Sequence, residues 1–250
     1  MRPIVFLHIP KTAGQTIHNQ LAQMVGAKSV SPIRVQSQAP KGPQMPTGYA
    51  LYSGHIDWVE IETLDDPFVF TVLREPTERI ASFYFYLLSE ARKLNASELA
   101  LPGNAGKARI LEMSAEDYFF GGTPAWQTFV RDHYDNFYCS YFATRLMRGG
   151  ATARALAPDD LLKQALEGLA TIDRVYHTDH LEVLEQDIEK MFGTTIKVSG
   201  NYVNAGEHDR SEPRWPKLAA LLDSDDAIRR LEDFAANDNE LMTRIRFARS

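Results

Sequence analysis

Short apolar runs recur along the chain, and longer segments with an apolar residue at every third or fourth position separate them. A continuous apolar run is typical of a buried strand, and the wider spacing is typical of an amphipathic helix. The predicted strands are residues 3–8, 49–53, 68–73 and 171–177. The predicted helices are residues 15–25, 76–94, 114–148, 158–169 and 179–192, with one or two more within 224–248. This alternation predicts an α/β fold in which helices cover both faces of a mostly parallel sheet.

Loop signals interrupt the alternation in three places. Residues 31–48 are rich in Pro, Gly, Gln and Ser, and residues 95–109 contain a proline and two glycines. We expect irregular loops in both segments and in residues 199–216. A chain of 250 residues suits one well-buried domain and would be cramped for two, so residues 1–250 are expected to form a single domain.

Composition narrows the classes of function. The formal net charge of −6 argues against nonspecific binding to nucleic acid or to an anionic membrane. Cys139 is the only cysteine, so no disulfide can form within the chain and nothing points to an oxidising compartment. No secretory signal is visible, and no window approaches the roughly 20 apolar residues of a membrane helix. We therefore expect a cytoplasmic protein that binds neither nucleic acid nor membranes.

The first predicted strand leads into the loop HIPKTAGQT, residues 8–16, which has the pattern of an anion site. In a strand–loop–helix unit, successive backbone N–H groups and the helix N-terminus converge on one anion. Gly14 allows a close approach of the backbone, and Lys11 adds a mobile positive charge. The ATP-binding signature places its lysine directly after the last glycine, whereas Lys11 precedes Gly14. The loop is therefore a poor site for a nucleoside triphosphate.

The same loop resembles the 5′-phosphosulfate loop of sulfotransferases that use 3′-phosphoadenosine 5′-phosphosulfate (PAPS). The resemblance is to the carbohydrate branch that contains the heparan sulfate 2-O-sulfotransferases, in a bacterial-type form. It implies the sulfotransferase fold, a P-loop NTPase-like central parallel sheet flanked by helices on both faces. It also implies that Lys11 stabilises the leaving-group oxygen while the loop cradles the 5′-phosphate. The loop residues assigned to PAPS in this way are Lys11, Thr12, Ala13, Gly14, Gln15 and Thr16.

A second motif, VLREPTERIASFYFYLL, begins in the predicted strand at residues 68–73. In the family, an arginine ends this strand and a serine follows eight positions later, and both bind the 3′-phosphate of PAPS. The matching residues are Arg74 and Ser82. An arginine at the carboxyl end of a strand faces the ligand crevice of an α/β sheet, and its guanidinium can bind a phosphate through two hydrogen bonds. Glu75 replaces the usual aspartate, and Arg79 is open between contact with PAPS and packing.

Between the two motifs, LYSGHIDW places His55 just beyond a predicted strand and a glycine. A hydroxyl becomes a good nucleophile when a base takes its proton as the new bond forms, and histidine titrates near neutral pH. The 2-O-sulfotransferase branch has a His-Gly-His here, of which this chain keeps the second histidine and has Ser53 in place of the first. The resemblance thus implies that His55 is the catalytic base, with Asp57 and Glu60 as alternatives.

Fainter similarities extend towards the C-terminus. In the loop NYVNAGEHDR, Asn204 and Arg210 loosely match residues of the loop that closes over PAPS in relatives. Sulfuryl transfer, like phosphoryl transfer, depends on in-line positioning and charge stabilisation. Because a sulfuryl group carries less charge than a phosphoryl group, lysine and backbone dipoles can serve without a metal ion. The near-neutral charge balance of residues 85–154 does not favour a heavily sulfated polymer as the acceptor.

These features together predict a PAPS-dependent sulfotransferase that acts on a hydroxyl of a saccharide or a small metabolite. Lys11 and His55 are the predicted catalytic residues, and no metal is expected. Two alternatives remain open: a P-loop kinase-like phosphotransferase, and a catalytically silent module that binds a nucleotide or a glycan.

Overall fold

A computed structural model describes residues 2–39, 41–200 and 212–248 of the chain. In these residues the strands are β1 (Ile4–Leu7), β2 (Leu51–Gly54), β3 (Phe68–Leu73) and β4 (Arg174–His177). They form one parallel sheet in the order β2-β1-β3-β4. The predicted α/β fold with a parallel sheet is confirmed. β1 has β2 on one side and β3 on the other.

The described residues divide into two compact units. The first unit holds the sheet and takes the described residues of 2–74, 138–200 and 241–248, and the second takes those of 75–137 and 212–240. The α-helices are α1 (Gly14–Val25), α2 (Pro76–Arg92), α3 (Ala96–Leu99), α4 (Ala105–Glu112), α5 (Ala115–Phe120), α6 (Pro124–Tyr134), α7 (Phe137–Thr144), α8 (Gly150–Ala153), α9 (Pro158–Leu169), α10 (Leu181–Phe192), α11 (Trp215–Ala219), α12 (Asp225–Glu232) and α13 (Ala236–Arg244).

The sheet of the first unit is buried on both faces. Every residue of β1, β2 and β3 is buried. Burial on both faces explains why β1 (IVFL) and β3 (FVFTVL) are nearly continuous apolar runs, whereas β2 (LYSG) is buried without being one. On one face, Ile4 and Phe6 pack with residues of α1 and α10 in a single apolar cluster. Val5 and Leu7 point to the opposite face, since side chains alternate along a strand, and both are fully buried.

Residues 30–35 run parallel to β2 through isolated bridges at Val30 and Val35, although the sequence predicts an irregular loop from residue 31. Gly54 makes this approach possible, because a Cβ at that position would lie 2.1 Å from the Arg34 carbonyl oxygen. The segment contains a proline and polar residues, so it lacks the continuous apolar run that indicates a buried strand. Its pairing depends on contact with β2, which local sequence does not encode.

The prediction of a loop at residues 95–109 is wrong, because α3 and part of α4 lie there. Asn95 begins α3 with a capping box: its side-chain oxygen accepts the Glu98 N–H at 3.0 Å, and the Glu98 carboxylate accepts the Asn95 N–H at 2.8 Å. The glycines and the proline in the segment obscured this local signal. The long helical segment predicted at 114–148 is divided into α5, α6 and α7.

The second unit has an aromatic core, and Arg79 is buried within it. The Trp126 indole N–H donates to the Tyr118 carbonyl oxygen at 2.8 Å, and the Tyr118 and Tyr134 hydroxyls lie 3.0 Å apart. The Arg79 guanidinium donates to the His133 carbonyl oxygen at 3.1 Å, and its side chain is 1% exposed. Arg79 therefore packs inside this unit and ties the end of α6 to α2.

Gly168 on α9 lies close to α7, because a Cβ at this position would be 2.1 Å from the Phe142 carbonyl oxygen. A substitution at Gly168 therefore tests how α9 packs against α7. We expect Gly168→Ala to lower the free energy of unfolding by about 1–3 kcal/mol, as overpacking does, in urea denaturation. Gly106→Ala in α4 is the matched control, since its Cβ would meet Trp126 and Phe129 at ordinary distances of 3.8 and 3.9 Å. Helix propensity should then raise stability by about 1 kcal/mol. A similar gain for Gly168→Ala would contradict the close contact.

Candidate active site

The loop between β1 and α1 has a backbone suited to binding an anion. Lys11 and Ala13 have positive φ angles of 74° and 64°, so N–H directions alternate as in a backbone anion nest. Ala13 is the N-cap of α1, no side chain of the described residues caps the helix, and its first turn holds no acidic residue. The first N–H groups of α1 and the positive end of its dipole therefore suit a phosphate.

The His8 side chain packs between β1 and this loop. Its ring stacks on Phe6 at a centroid distance of 5.2 Å, and a Cβ at Gly14 would lie 1.7 Å from its Nε2 atom. Burial, followed by the nearby His55 and Arg34 charges, holds the pKa of His8 well below its ordinary value. His8 is therefore a neutral packing residue against which the glycine of the loop fits.

The polar side chains of the loop have different surroundings. Thr12 is fully buried, and its hydroxyl donates to the Ile9 carbonyl oxygen at 2.9 Å. This bond stabilises the turn, so the Thr12 backbone N–H is the group that suits the predicted contact with a phosphate. Thr16 is also buried, at the start of α1. The Gln15 amide donates to the Asn19 side-chain oxygen at 2.7 Å, which holds it along the helix.

The sheet brings three predicted residues to one edge of the first unit. Lys11 follows β1, His55 follows β2 and Arg74 follows β3. The carboxyl ends of parallel strands meet at the same edge of a sheet, which is where ligands bind in open α/β folds. Because β1 lies between β2 and β3, the Lys11 loop stands between His55 and Arg74 along this edge.

Tyr138 holds the end of β3, a role that the sequence did not reveal. Its hydroxyl accepts the Arg74 N–H at 3.1 Å and donates to the Arg74 carbonyl oxygen at 2.8 Å. The tyrosine is fully buried. Both hydrogen bonds fix the backbone from which the Arg74 side chain extends. The aromatic residues of this segment predict only the core of a helix. The contact of Tyr138 with Arg74 is not visible in the sequence because the two residues lie 64 positions apart.

Ser82 belongs to the second unit, on α2, and is 5% exposed. The guanidinium of Arg214, a residue for which the sequence predicted no role, lies 3.5 Å from the Ser82 hydroxyl oxygen. Glu75 is the N-cap of α2, and its carboxylate accepts the first N–H groups of that helix, which accounts for an acidic residue at this position. Asn204 and Arg210 lie outside the described residues.

The hydrogen bonds of His55 define its tautomer. Its Nδ1 atom lies 2.7 Å from the His8 carbonyl oxygen, and a carbonyl can only accept, so Nδ1 carries the proton. The basic lone pair is consequently on Nε2. The backbone is held as well, since the His55 N–H donates to the Arg34 carbonyl oxygen at 2.8 Å. An imidazole fixed in this way is suited to accept a proton at Nε2.

The two alternative bases have structural partners. The carboxylate of Asp57 accepts the Gln44 amide at 3.0 Å and the Met147 N–H at 2.7 Å. The Glu60 carboxylate accepts the Gln44 backbone N–H at 3.0 Å. Both carboxylates therefore stabilise neighbouring segments of the first unit. Their arrangement favours His55 as the base.

The described part of the chain contains no cluster of three or more metal-binding side chains, and none of its helices has the length and apolarity needed to cross a membrane. Two open clefts of about 500 and 580 Å³ lie along α9. Their lining comes mainly from that helix and includes neither the loop after β1 nor His55. The candidate site is thus an open edge of the sheet rather than one of these clefts.

Comparison with known proteins agrees with this geometry. A model of the sulfotransferase family matches residues 2–137, more than half of the chain, and the match includes β1–β3, the loop and α2. The chain belongs to the sulfotransferase family, and its class of reaction is the transfer of a sulfuryl group. The family prediction is confirmed, and membership implies a sulfuryl donor and a hydroxyl-bearing acceptor. A search of curated proteins found no match to the chain.

The pH dependence of stability tests the burial of His18 on α1. Burial, with a further contribution from the Arg34 charge, lowers the pKa of His18 from 6.5 to about 4. Between these values the unfolded chain binds more protons than the folded protein, so the free energy of unfolding falls as the pH drops. We expect the fall between about pH 7.5 and pH 5 to be about 1 kcal/mol smaller in His18→Gln, allowing for screening.

Urea denaturation at the two pH values measures this difference, because other groups contribute equally to the wild type and the variant. His180→Gln is the matched control, since the His180 side chain is 68% exposed. Identical pH dependence in the wild type and His18→Gln would show that His18 is not held neutral by the fold.

Proposed function

We propose that the protein transfers the sulfuryl group of PAPS to a hydroxyl of a saccharide or small-molecule acceptor. The observation that supports this most is the strand order, which places the Lys11 loop between His55 and Arg74 at one edge of the sheet. In this proposal the N–H groups from Thr12 to Thr16 bind the 5′-phosphate. Arg74 binds the 3′-phosphate, and the family resemblance alone assigns Ser82 to the same group.

PAPS supplies the sulfuryl group, and the residues of the first unit supply proton transfer and charge stabilisation. His55 accepts the proton of the acceptor hydroxyl at Nε2 as the new S–O bond forms. The His8 carbonyl oxygen, 2.7 Å from Nδ1, stabilises the imidazolium that results. Lys11 stabilises the charge on the phosphate oxygen as the old S–O bond breaks. The products are a sulfate ester and adenosine 3′,5′-bisphosphate, with the proton on His55.

The same strand order divides the donor from the acceptor in this proposal. Arg74, on the β3 side of the loop, is assigned to the adenosine end of PAPS. His55, on the β2 side, is assigned to the acceptor. The hydroxyl would therefore approach the sulfuryl group from the side opposite the leaving phosphate, which in-line displacement requires. The contacts of Asn204 and Arg210 with PAPS remain predictions from the resemblance.

Isothermal titration calorimetry separates this function from that of a kinase. We expect adenosine 3′,5′-bisphosphate to bind at least about tenfold more tightly than ATP with Mg²⁺, because Arg74 can pair with a 3′-phosphate. Arg74→Ala should weaken that binding by about 30- to 150-fold, or about 2–3 kcal/mol. Arg148→Ala, at an exposed position of the same unit, should bind normally. Tighter binding of ATP with Mg²⁺ would contradict the proposal.

The release of adenosine 3′,5′-bisphosphate from PAPS, with a panel of methyl glycosides as acceptors, measures catalysis. We expect His55→Ala to lower the rate by about 10²- to 10⁴-fold with unchanged nucleotide affinity, since only proton transfer is lost. His180→Ala serves as the matched histidine control. An unaltered rate in His55→Ala would remove this residue as the base. A wild type as inert as Lys11→Ala, with the nucleotide still bound, would favour a silent binding module.

A further inference from the structure

We propose that the acceptor carries a compact anionic group, a carboxylate or a sulfate ester, and that Arg34 together with His18 binds it beside His55. The inference rests on the proposed sulfuryl transfer and deepens it, because it names the chemistry of the acceptor. It concerns an acceptor with a single anionic group near the reacting hydroxyl, in keeping with the absence of a long basic stretch in the sequence.

Arg34 is a half-buried arginine without an acidic partner in the described part of the chain. Its side chain makes one hydrogen bond there, from Nε to the Ser53 carbonyl oxygen at 3.4 Å. Burial lowers the pKa of Arg34, and no carboxylate opposes that effect. By contrast, Arg145, which is also half-buried, pairs with Glu62. A partly desolvated guanidinium is unfavourable unless an anion compensates it, so the site is suited to an anionic ligand.

Polar atoms around Arg34 also lack hydrogen-bond partners. His8 Nδ1, His18 Nδ1 and Ser53 Oγ are all buried and unpaired, and each of these residues is less than a tenth exposed. Arg34 lies within electrostatic range of both histidines, because its charge lowers their pKa values. Buried polar atoms are normally paired. Ser53 is also the residue whose carbonyl oxygen accepts the Arg34 Nε–H, and no acidic group is among the causes of either histidine shift. Unpaired polar atoms within reach of an uncompensated arginine indicate a place for a polar and negatively charged ligand.

The backbone fixes Arg34 next to the proposed base. The Arg34 carbonyl oxygen accepts the His55 N–H at 2.8 Å, and the Arg34 N–H donates to the Gln38 side-chain oxygen at 2.7 Å. Both residues lie on the β2 side of β1, whereas Arg74, assigned to the donor, follows β3 on the other side. The anion site is therefore on the acceptor side of the Lys11 loop.

The chemistry of arginine suits a small oxyanion. The planar guanidinium can donate two parallel hydrogen bonds to a carboxylate or a sulfate, which gives orientation as well as affinity. His18 can add a hydrogen bond or, once protonated, a charge. An anionic group held at Arg34 would set which neighbouring hydroxyl of the acceptor reaches Nε2 of His55. Arg34 is in this sense a residue that determines specificity.

Nuclear magnetic resonance of the imidazole groups tests this proposal in the full chain, with and without adenosine 3′,5′-bisphosphate. The probes are methyl glucuronide, glucose 6-sulfate and neutral methyl glucoside. We expect at least one charged probe to shift the His18 signals saturably, while methyl glucoside does not. Arg34→Gln should weaken that binding by at least about tenfold, Arg34→Lys should weaken it less, and Arg148→Gln should match the wild type.

The charged probe that binds identifies the source of the anionic group, because one carries a carboxylate and the other a sulfate ester. Equal responses to charged and neutral probes would overturn the proposal, as would no response to any probe or undiminished binding in Arg34→Gln. Retained affinity for adenosine 3′,5′-bisphosphate shows that the variants are folded. If the proposed function is wrong, the wild type will not bind adenosine 3′,5′-bisphosphate. The probe titrations without nucleotide still test Arg34 in that case, so the two failures can be told apart.

Discussion

The packing of His8 against Gly14 is the contact on which the rest of the site depends. Only a glycine leaves room for the His8 ring beneath the start of α1, because a Cβ would lie 1.7 Å from its Nε2 atom. The carbonyl oxygen of the same residue accepts a hydrogen bond from His55 Nδ1 at 2.7 Å. The His8 side chain thus packs against the loop after β1, and the His8 carbonyl group fixes the orientation of the His55 imidazole after β2. A single residue therefore positions both the loop to which the proposal assigns the phosphate and the imidazole to which it assigns proton transfer.

The position of β1 between β2 and β3 sets the order of the candidate site residues along the edge of the sheet. The loop after β1 has groups suited to a phosphate, Arg74 stands after β3, and His55 stands after β2. In the proposed mechanism the loop after β1 stabilises charge. Arg74 binds the nucleotide on one side of this loop, and His55 accepts the proton of the acceptor on the other side. The carboxylates of Asp57 and Glu60 are bound to backbone and amide groups. Histidine is consequently the residue that the geometry favours for proton transfer.

Much of the fold could be predicted from the sequence, because buried parallel strands are apolar runs and β3 coincides with residues 68–73. The candidate anion loop after β1 could be predicted from the sequence because its residues are contiguous. The missed features depend on distant partners: residues 30–35 pair with β2, and Tyr138 anchors Arg74 across 64 positions. No local pattern encodes such contacts. The capping box of α3 was a local signal, and it was overlooked among glycines and a proline.

The central claim is that the loop supported by His8 binds the 5′-phosphate of an adenosine 3′,5′-bisphosphate ligand. A crystal structure of the protein with that nucleotide tests it most directly. The account predicts the 5′-phosphate within hydrogen-bonding distance of the N–H groups from Thr12 to Thr16, with the 3′-phosphate on the Arg74 guanidinium. A nucleotide bound elsewhere, or bound here with its phosphates remote from both groups, would contradict it.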